Sequence, residues 1–97
     1  MAKMADLAGS ILLAAAAVPA GRVTTYGDIA RIVGCGPRLV ARVLAGQGSA
    51  TSWWRVVRAD GTIAPHLVAE ATTRLVAEGV AVRGGRVSLA THRTALE

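Results

Sequence analysis

Two tryptophans stand side by side in Ser52-Trp53-Trp54-Arg55-Val56-Val57, with an arginine directly after them. The chain has no Phe and a single Tyr, so these two indoles are most of its aromatic surface. An indole offers a broad face for stacking, and a guanidinium can pair with a phosphate or stack on a base. The combination suits recognition of a nucleobase. If the segment is a strand, Trp53 and Trp54 point to opposite faces, one into the core and its neighbour into a cleft or solvent. The plain alternative is two core tryptophans on a buried strand.

Other reactive side chains are sparse. Cys35 is the only cysteine, and His66 and His92 stand in different elements and read as surface residues. No metal-ligand spacing, paired carboxylates, phosphate-cradling glycine loop or nucleophile triad is found, so the reading assigns no catalytic residue, no metal and no cofactor. Cys35 reads as a small packing residue. A single cysteine excludes an internal disulfide and fits a reducing cytoplasm.

Charge points to a polyanion. Eleven basic residues, ten of them Arg, oppose six acids for a net charge of +5. Arg31, Arg38, Arg42 and Arg55 lie between Arg22 and Arg58, with Asp28 the only acid in that stretch. This is the electrostatic footprint of a nucleic-acid binder, although a solvated basic surface has the same composition.

The elements that must position these groups follow from capping and periodicity. Ninety-seven residues allow one small domain over 1–97, with ragged ends at about 1–5 and 94–97. A first helix is expected over about Asp6 to Val18, stopped by Pro19 and Gly21. Its apolar run from Ile11 to Val18 is too short to cross a bilayer and reads as a buried helix rather than a signal-peptide core, so no membrane is expected. Arg22-Val23-Thr24 reads as extended. Thr25 caps a second helix, with Asp28 completing a capping-box pattern and Gly34 ending it. Pro37 opens a third helix reaching about Ala45. Leu39, Val40, Val43 and Leu44 form its core stripe, while Arg38, Ala41, Arg42 and Ala45 form a basic but nearly flat outer stripe. Small methyl groups between arginines suit entry into a minor groove only about 6 Å wide.

After a small-residue loop, a strand is expected over Trp53–Arg58, then a turn at Ala59-Asp60-Gly61 and a return at Thr62-Ile63. A fourth helix spans Leu67 to Glu78, with Glu70 and Arg74 paired at i,i+4. Val80 to Leu89 reads as a hairpin with a Gly84-Gly85 turn, carrying Arg83 and Arg86 where they could meet a phosphate backbone. The fold class is therefore mainly α with small β, a winged helix-turn-helix.

Three motifs in order then resemble one family. Val18-Pro19-Ala20-Gly21-Arg22-Val23-Thr24-Thr25-Tyr26-Gly27-Asp28-Ile29-Ala30 is similar to the opening of the DNA-binding domain of O6-alkylguanine-DNA alkyltransferases. Gly36-Pro37-Arg38-Leu39-Val40-Ala41-Arg42-Val43 resembles their recognition helix. Trp53-Trp54-Arg55-Val56-Val57 falls where those enzymes carry Pro-Cys-His-Arg-Val in register with Ser52. The resemblance covers roughly residues 10 to 93.

Trp53 then occupies the position of the alkyl-accepting cysteine, the hallmark of the non-enzymatic alkyltransferase-like proteins. Trp54 replaces the usual histidine and Ser52 the usual proline. The resemblance implies that Tyr26 presses on the phosphate 3′ to the lesion. It makes Arg42 the finger that fills the vacated base stack, with Arg38 the alternative because the spacing from Gly34 to Arg42 is one residue longer than the family's usual one. Trp53 and Trp54 would line a lesion pocket, with Arg55 supporting the pocket strand or a phosphate. The partners implied are double-stranded DNA containing O6-alkylguanine and nucleotide excision repair proteins, engaged by a monomer in the cytoplasm at the nucleoid. A winged-helix regulator or architectural protein without lesion recognition is the competing reading. An active alkyltransferase using Cys35 is a third.

Overall fold

The computed structural model describes residues 4–94. Its first layer is a three-helix cluster: α1 (Met4–Ala16), α2 (Tyr26–Val33) and α3 (Pro37–Gln47) pack mutually. Ile11 and Ala15 of α1, Ile29 and Ala30 of α2, and Val40, Val43 and Leu44 of α3 are buried together. The N-terminal helix starts and stops two residues earlier than its periodicity predicts, leaving Val18 buried in the following turn. Met4 and Ala5, expected to be ragged, belong to that helix; residues 1–3 and 95–97 lie outside the described residues.

Capping fixes the helix-turn-helix. The Thr25 hydroxyl accepts a 3.0 Å hydrogen bond from the Asp28 backbone N–H and starts α2. Gly34 ends it in the left-handed conformation, at φ 86°, which a residue with a Cβ adopts at a cost. Pro37 then opens α3 at its first turn, where its missing N–H leaves no bond unmade.

The second layer contains the sheets. β1 (Thr24–Thr25) pairs in parallel with β2 (Val56–Val57), Thr24 beside Val56 and Thr25 beside Val57. The strand expected over Trp53–Arg58 is shorter than its apolar pattern suggested. Trp53–Arg55 form a 3-10 turn, and only Val56 and Val57 are extended. Alternation operates on those two valines: Val56 packs into the three-helix cluster and Val57 into a second core. That second core joins Val23, Ile63, Ala71, Leu75, Val80 and Val87.

A 3-10 turn at Pro65–Leu67 leads into α4 (Val68–Ala77), so this helix begins one residue later than expected. The predicted wing is present: β3 (Val82–Arg83) and β4 (Arg86–Val87) pair antiparallel across Gly84-Gly85. Gly61 lies under the wing, and a Cβ there would sit 2.3 Å from the Val87 carbonyl oxygen. Its N–H donates to the Arg58 carbonyl, and its carbonyl accepts from Val87, so the expected turn also pins the wing. A short α5 (Leu89–His92), not foreseen, brings the chain back across β1. There Val23 donates to His92 and accepts from Thr94, which places Thr94 inside the ordered fold rather than in a ragged end. The whole is a mainly helical winged helix-turn-helix.

Candidate nucleic-acid interface

The outward stripe of α3 is as its periodicity predicts. Arg38, Ala41, Arg42 and Ala45 are exposed, opposite buried Val40, Val43 and Leu44. Neither Arg38 nor Arg42 has a salt-bridge partner among the described residues. Two uncommitted guanidinium groups thus flank a flat strip of methyl groups.

Beside that stripe opens a cavity of about 710 Å³. It is lined by Tyr26 at the start of α2, Arg38 and Ala41 of α3, Trp53, Arg58 and His66. Its size is within the range of small-molecule sites, which are lined mainly by apolar side chains with a few polar groups. Tyr26 is half-buried; burial pushes its phenol above the ordinary value, and the nearby Arg58 charge partly offsets the rise. The hydroxyl therefore stays protonated and available as a donor at neutral pH.

Trp53 lines this cavity; Trp54 does not, which corrects the expectation that it shares the pocket wall, and Arg55, expected as a support, is not among the lining residues either. The cause is the 3-10 turn, whose successive side chains are about 120° apart rather than on opposite faces. Trp54 turns toward α4, where its indole N–H donates to a Glu78 carboxylate oxygen at 2.9 Å. Arg55 donates to the same carboxylate, through Nε at 3.0 Å and Nη2 at 2.6 Å. Its Nη1 reaches the Val18 carbonyl at 2.8 Å and the Ser52 hydroxyl at 3.0 Å. The Gly21 N–H adds a 3.1 Å bond to Glu78. Arg55 and Glu78 side chains are each only 14% exposed, so water screens this pair weakly. Burial raises the Glu78 carboxyl, but the bonds from Arg55, Trp54 and Gly21 and the Arg55 charge outweigh it and hold the group below the usual carboxylate range.

Arg74 of α4 lies over the Trp54 ring at 4.6 Å and within 5.9 Å of the Trp53 ring centre. The two indoles meet edge to face, with centroids 5.9 Å apart. Arg74 is itself held by Glu70 at 3.0 Å, the pair expected from i,i+4 spacing. Behind the pocket tryptophan stands a braced wall.

In the wing Arg83 is exposed without a salt-bridge partner among the described residues, and Arg86 sits 3.7 Å from Asp60. Tyr26, Arg38, Ala41 and Trp53 are thus brought to one cavity, whereas Arg42 stays on the outer face of α3 and Arg83 and Arg86 lie apart in the wing. His92 is half-buried, its Nδ1 3.3 Å from the Gly21 carbonyl, rather than a free surface residue. Cys35 is half-buried against the three-helix core, as a packing residue should be. Arg58, His66 and Glu78 were missed by sequence reasoning. Arg58 and His66 had a signal, since the turn after β2 must cross the end of the Trp53 segment. Glu78 had none, because its partners lie 23 to 57 residues away.

Comparison with known proteins gives this geometry a family. The model of the 6-O-methylguanine DNA methyltransferase DNA-binding domain matches residues 6–80. Proteins of Escherichia coli (strain K12) and Shigella flexneri, each named "DNA base-flipping protein", are 43% identical over 88 residues, covering 80% of this chain. The chain spans 66% of the length of these curated relatives. Among solved structures, S. pombe Atl1 in complex with damaged DNA containing O6-carboxymethylguanine superposes with a TM-score of 0.88 at 25% identity, over 98% of this chain and 100% of that one. S. pombe ATL in complex with DNA gives 0.76 at 28% identity, over 93% and 94%. The winged fold, the flat basic face of α3 and the match over residues 6–80 lead to one conclusion: the chain belongs to the family of the 6-O-methylguanine DNA methyltransferase DNA-binding domain, as an alkyltransferase-like member.

Proposed function

We propose that this protein is a non-enzymatic sensor of O6-alkylguanine in duplex DNA. The single observation that carries the reading is Trp53: it stands where the resemblance implies the acceptor cysteine, and it lines the cavity beside the exposed face of α3. The α3 stripe enters the minor groove, Tyr26 presses on the phosphate 3′ to the lesion, and Arg42 fills the gap left in the stack. Extruding a base costs a few kcal/mol, least where pairing is already weakened by alkylation. Stacking on an aromatic wall returns about 1–3 kcal/mol per base. The DNA complexes of the two S. pombe relatives support a DNA partner, and the names of the bacterial relatives support base flipping.

No alkyl group is transferred. Alkyl transfer needs a thiolate or equivalent nucleophile at the flipped base. Trp53 cannot supply one, and Cys35 is packed in the helix-turn-helix turn, not on the cavity wall. The protein therefore marks the lesion, as a monomer at the nucleoid, for removal by nucleotide excision repair. Binding to otherwise identical duplexes with and without O6-methylguanine tests the reading, paired with the mass of the protein after incubation. Tighter binding to the lesion with an unchanged protein mass is expected. Equal binding would make it a winged-helix regulator, and a mass gain with recovery of guanine would make it an alkyltransferase.

A further inference from the structure

Trp53 is weakly fixed by its own backbone. It opens a 3-10 turn of three residues, and Ser52, which caps that turn, makes no side-chain capping bond. Such turns have poorer hydrogen-bond geometry than an α-helix, so the indole takes its orientation from the side chains that touch it. Two of these stand out: the Trp54 ring, met edge to face, and the Arg74 guanidinium, 5.9 Å from the Trp53 ring centre. Arg74 also lies 4.6 Å from the Trp54 ring centre, so one cation spans both indoles. It comes from α4, and it is not among the residues that line the cavity. Glu70, one turn earlier, holds the guanidinium in place, its carboxylate accepting from Nε at 3.1 Å and lying 3.0 Å from Nη2. The side chains of this pair are 46% and 62% exposed, so the ion pair adds little stability. Its consequence is positional, because it sets where the guanidinium sits over the rings.

We propose that Arg74 is a positioning residue for lesion recognition. It acts from outside the cavity, holding Trp53 against Trp54 in the orientation that receives the flipped base. The inference rests on the lesion-binding reading above and adds to it a residue that does not touch the DNA. Ordering a loose side chain on binding subtracts from what stacking contributes, so an indole already held in place binds the base more tightly. Trp54 is what makes the device possible. Its ring, fixed by the Glu78 bond, gives the guanidinium a second aromatic face and Trp53 a rigid neighbour.

The test uses the whole chain and two duplexes that differ only in one O6-methylguanine, and reads the ratio of the two affinities by fluorescence anisotropy. Arg74→Ala places the best helix former at an exposed helical site, and a thermal melt confirms that it folds. It should reduce the ratio about two- to fivefold, the scale of one cation–π contact, and leave binding to undamaged DNA nearly unchanged. The exciton couplet of the indole pair, read by circular dichroism on the folded protein, should weaken with it, since Trp53 and Trp54 are the only tryptophans in the chain. Arg74→Lys keeps the cation and should restore most of the ratio and the couplet. Arg74→Gln, uncharged and a good helix former, should repeat the loss without opening a gap beside the rings. In a Trp53→Ala background, Arg74→Ala should change the ratio no further. A folded Arg74→Ala protein with its full ratio would overturn the positioning role, as would a lost ratio with an unchanged couplet. Equal weakening on both duplexes would make Arg74 a phosphate contact and overturn it too. A wild-type ratio of unity is a separate failure, which removes the lesion-binding reading and this inference with it.

Discussion

Trp53 and Trp54 are neighbours in sequence, touch in space and both pack against the second core, yet only Trp53 lines the cavity. Trp53 is half-buried and lines a cavity beside α3. Trp54 is committed: its N–H is spent on Glu78, and its ring is covered by Arg55 at 5.1 Å and Arg74 at 4.6 Å. A 3-10 turn separates the two roles within one residue. The lesson is that an aromatic pair can divide recognition from support, and that the supporting residue decides how firmly the recognising one is held.

Mutations should break this contrast in opposite ways. The largest stability effect is expected at the committed side. Trp54→Ala removes packing in the second core and strips Glu78 of one donor, so unfolding free energy should fall by about 2–4 kcal/mol in a urea melt. A loss below about 1 kcal/mol would mean that the brace contributes little. On DNA, the exposed arginines predict a steep salt dependence. If Arg38, Arg42, Arg83 and Arg86 neutralise phosphates or groove potential, the log–log slope of affinity against salt should be about −3 to −4. A slope near zero would leave these arginines merely solvated.

The brace also has a pH signature. Glu78 is held below its ordinary value, as described. Asp28 is likewise depressed, first by the hydrogen bond from Arg93 against the opposing effect of burial, then by the Arg93 charge and bonds from Thr25. Both carboxylates are more acidic folded than unfolded, so their contribution is complete above the unfolded carboxylate values near 4. It is lost as pH falls through the depressed folded values. Thermal melts should therefore be nearly level from pH 6 to about 4.5 and decline below that, with Glu78→Gln and Asp28→Asn each removing part of the decline. A decline that both variants retain in full would place the acid-sensitive groups elsewhere.

Smaller effects separate the two faces of the interface. Arg42→Ala should cost about 1 kcal/mol on lesion DNA and less on undamaged DNA, because the vacated stack goes unfilled. Arg83→Ala should weaken both DNAs by a similar factor, since a backbone contact carries no lesion information. Gel-shift titrations of both variants on both duplexes check this, and a reversal of the two patterns would exchange their roles.

What was legible in the sequence was local. Thr25 as a cap, Gly34 as a stop, Pro37 as a start and the two stripes of α3 are all set within a few residues, and the structure bears each out. The Gly84-Gly85 hairpin was legible for the same reason. The Trp53–Arg58 segment was not, because a short apolar run does not distinguish a strand from a 3-10 turn followed by two extended residues. The parallel pairing of Thr24 with Val56 and the convergence of Trp54, Arg55 and Gly21 on Glu78 are long-range contacts with no spacing to betray them. For the site, Tyr26, Arg38, Ala41 and Trp53 were found by motif and helix face, while Arg58 and His66 required the turn that brings them to the cavity.

The central claim is that Trp53 holds the flipped lesion and Trp54 does not. It is tested most directly by comparing affinities for O6-methylguanine and undamaged duplexes in Trp53→Ala, with folding first confirmed by its melting curve. The account predicts that Trp53→Ala stays folded and loses most of its lesion preference, about 1–3 kcal/mol of discrimination, while binding to undamaged DNA changes little. A folded Trp53→Ala protein that keeps its full lesion preference would contradict the account and make Trp53, like its neighbour, a structural residue.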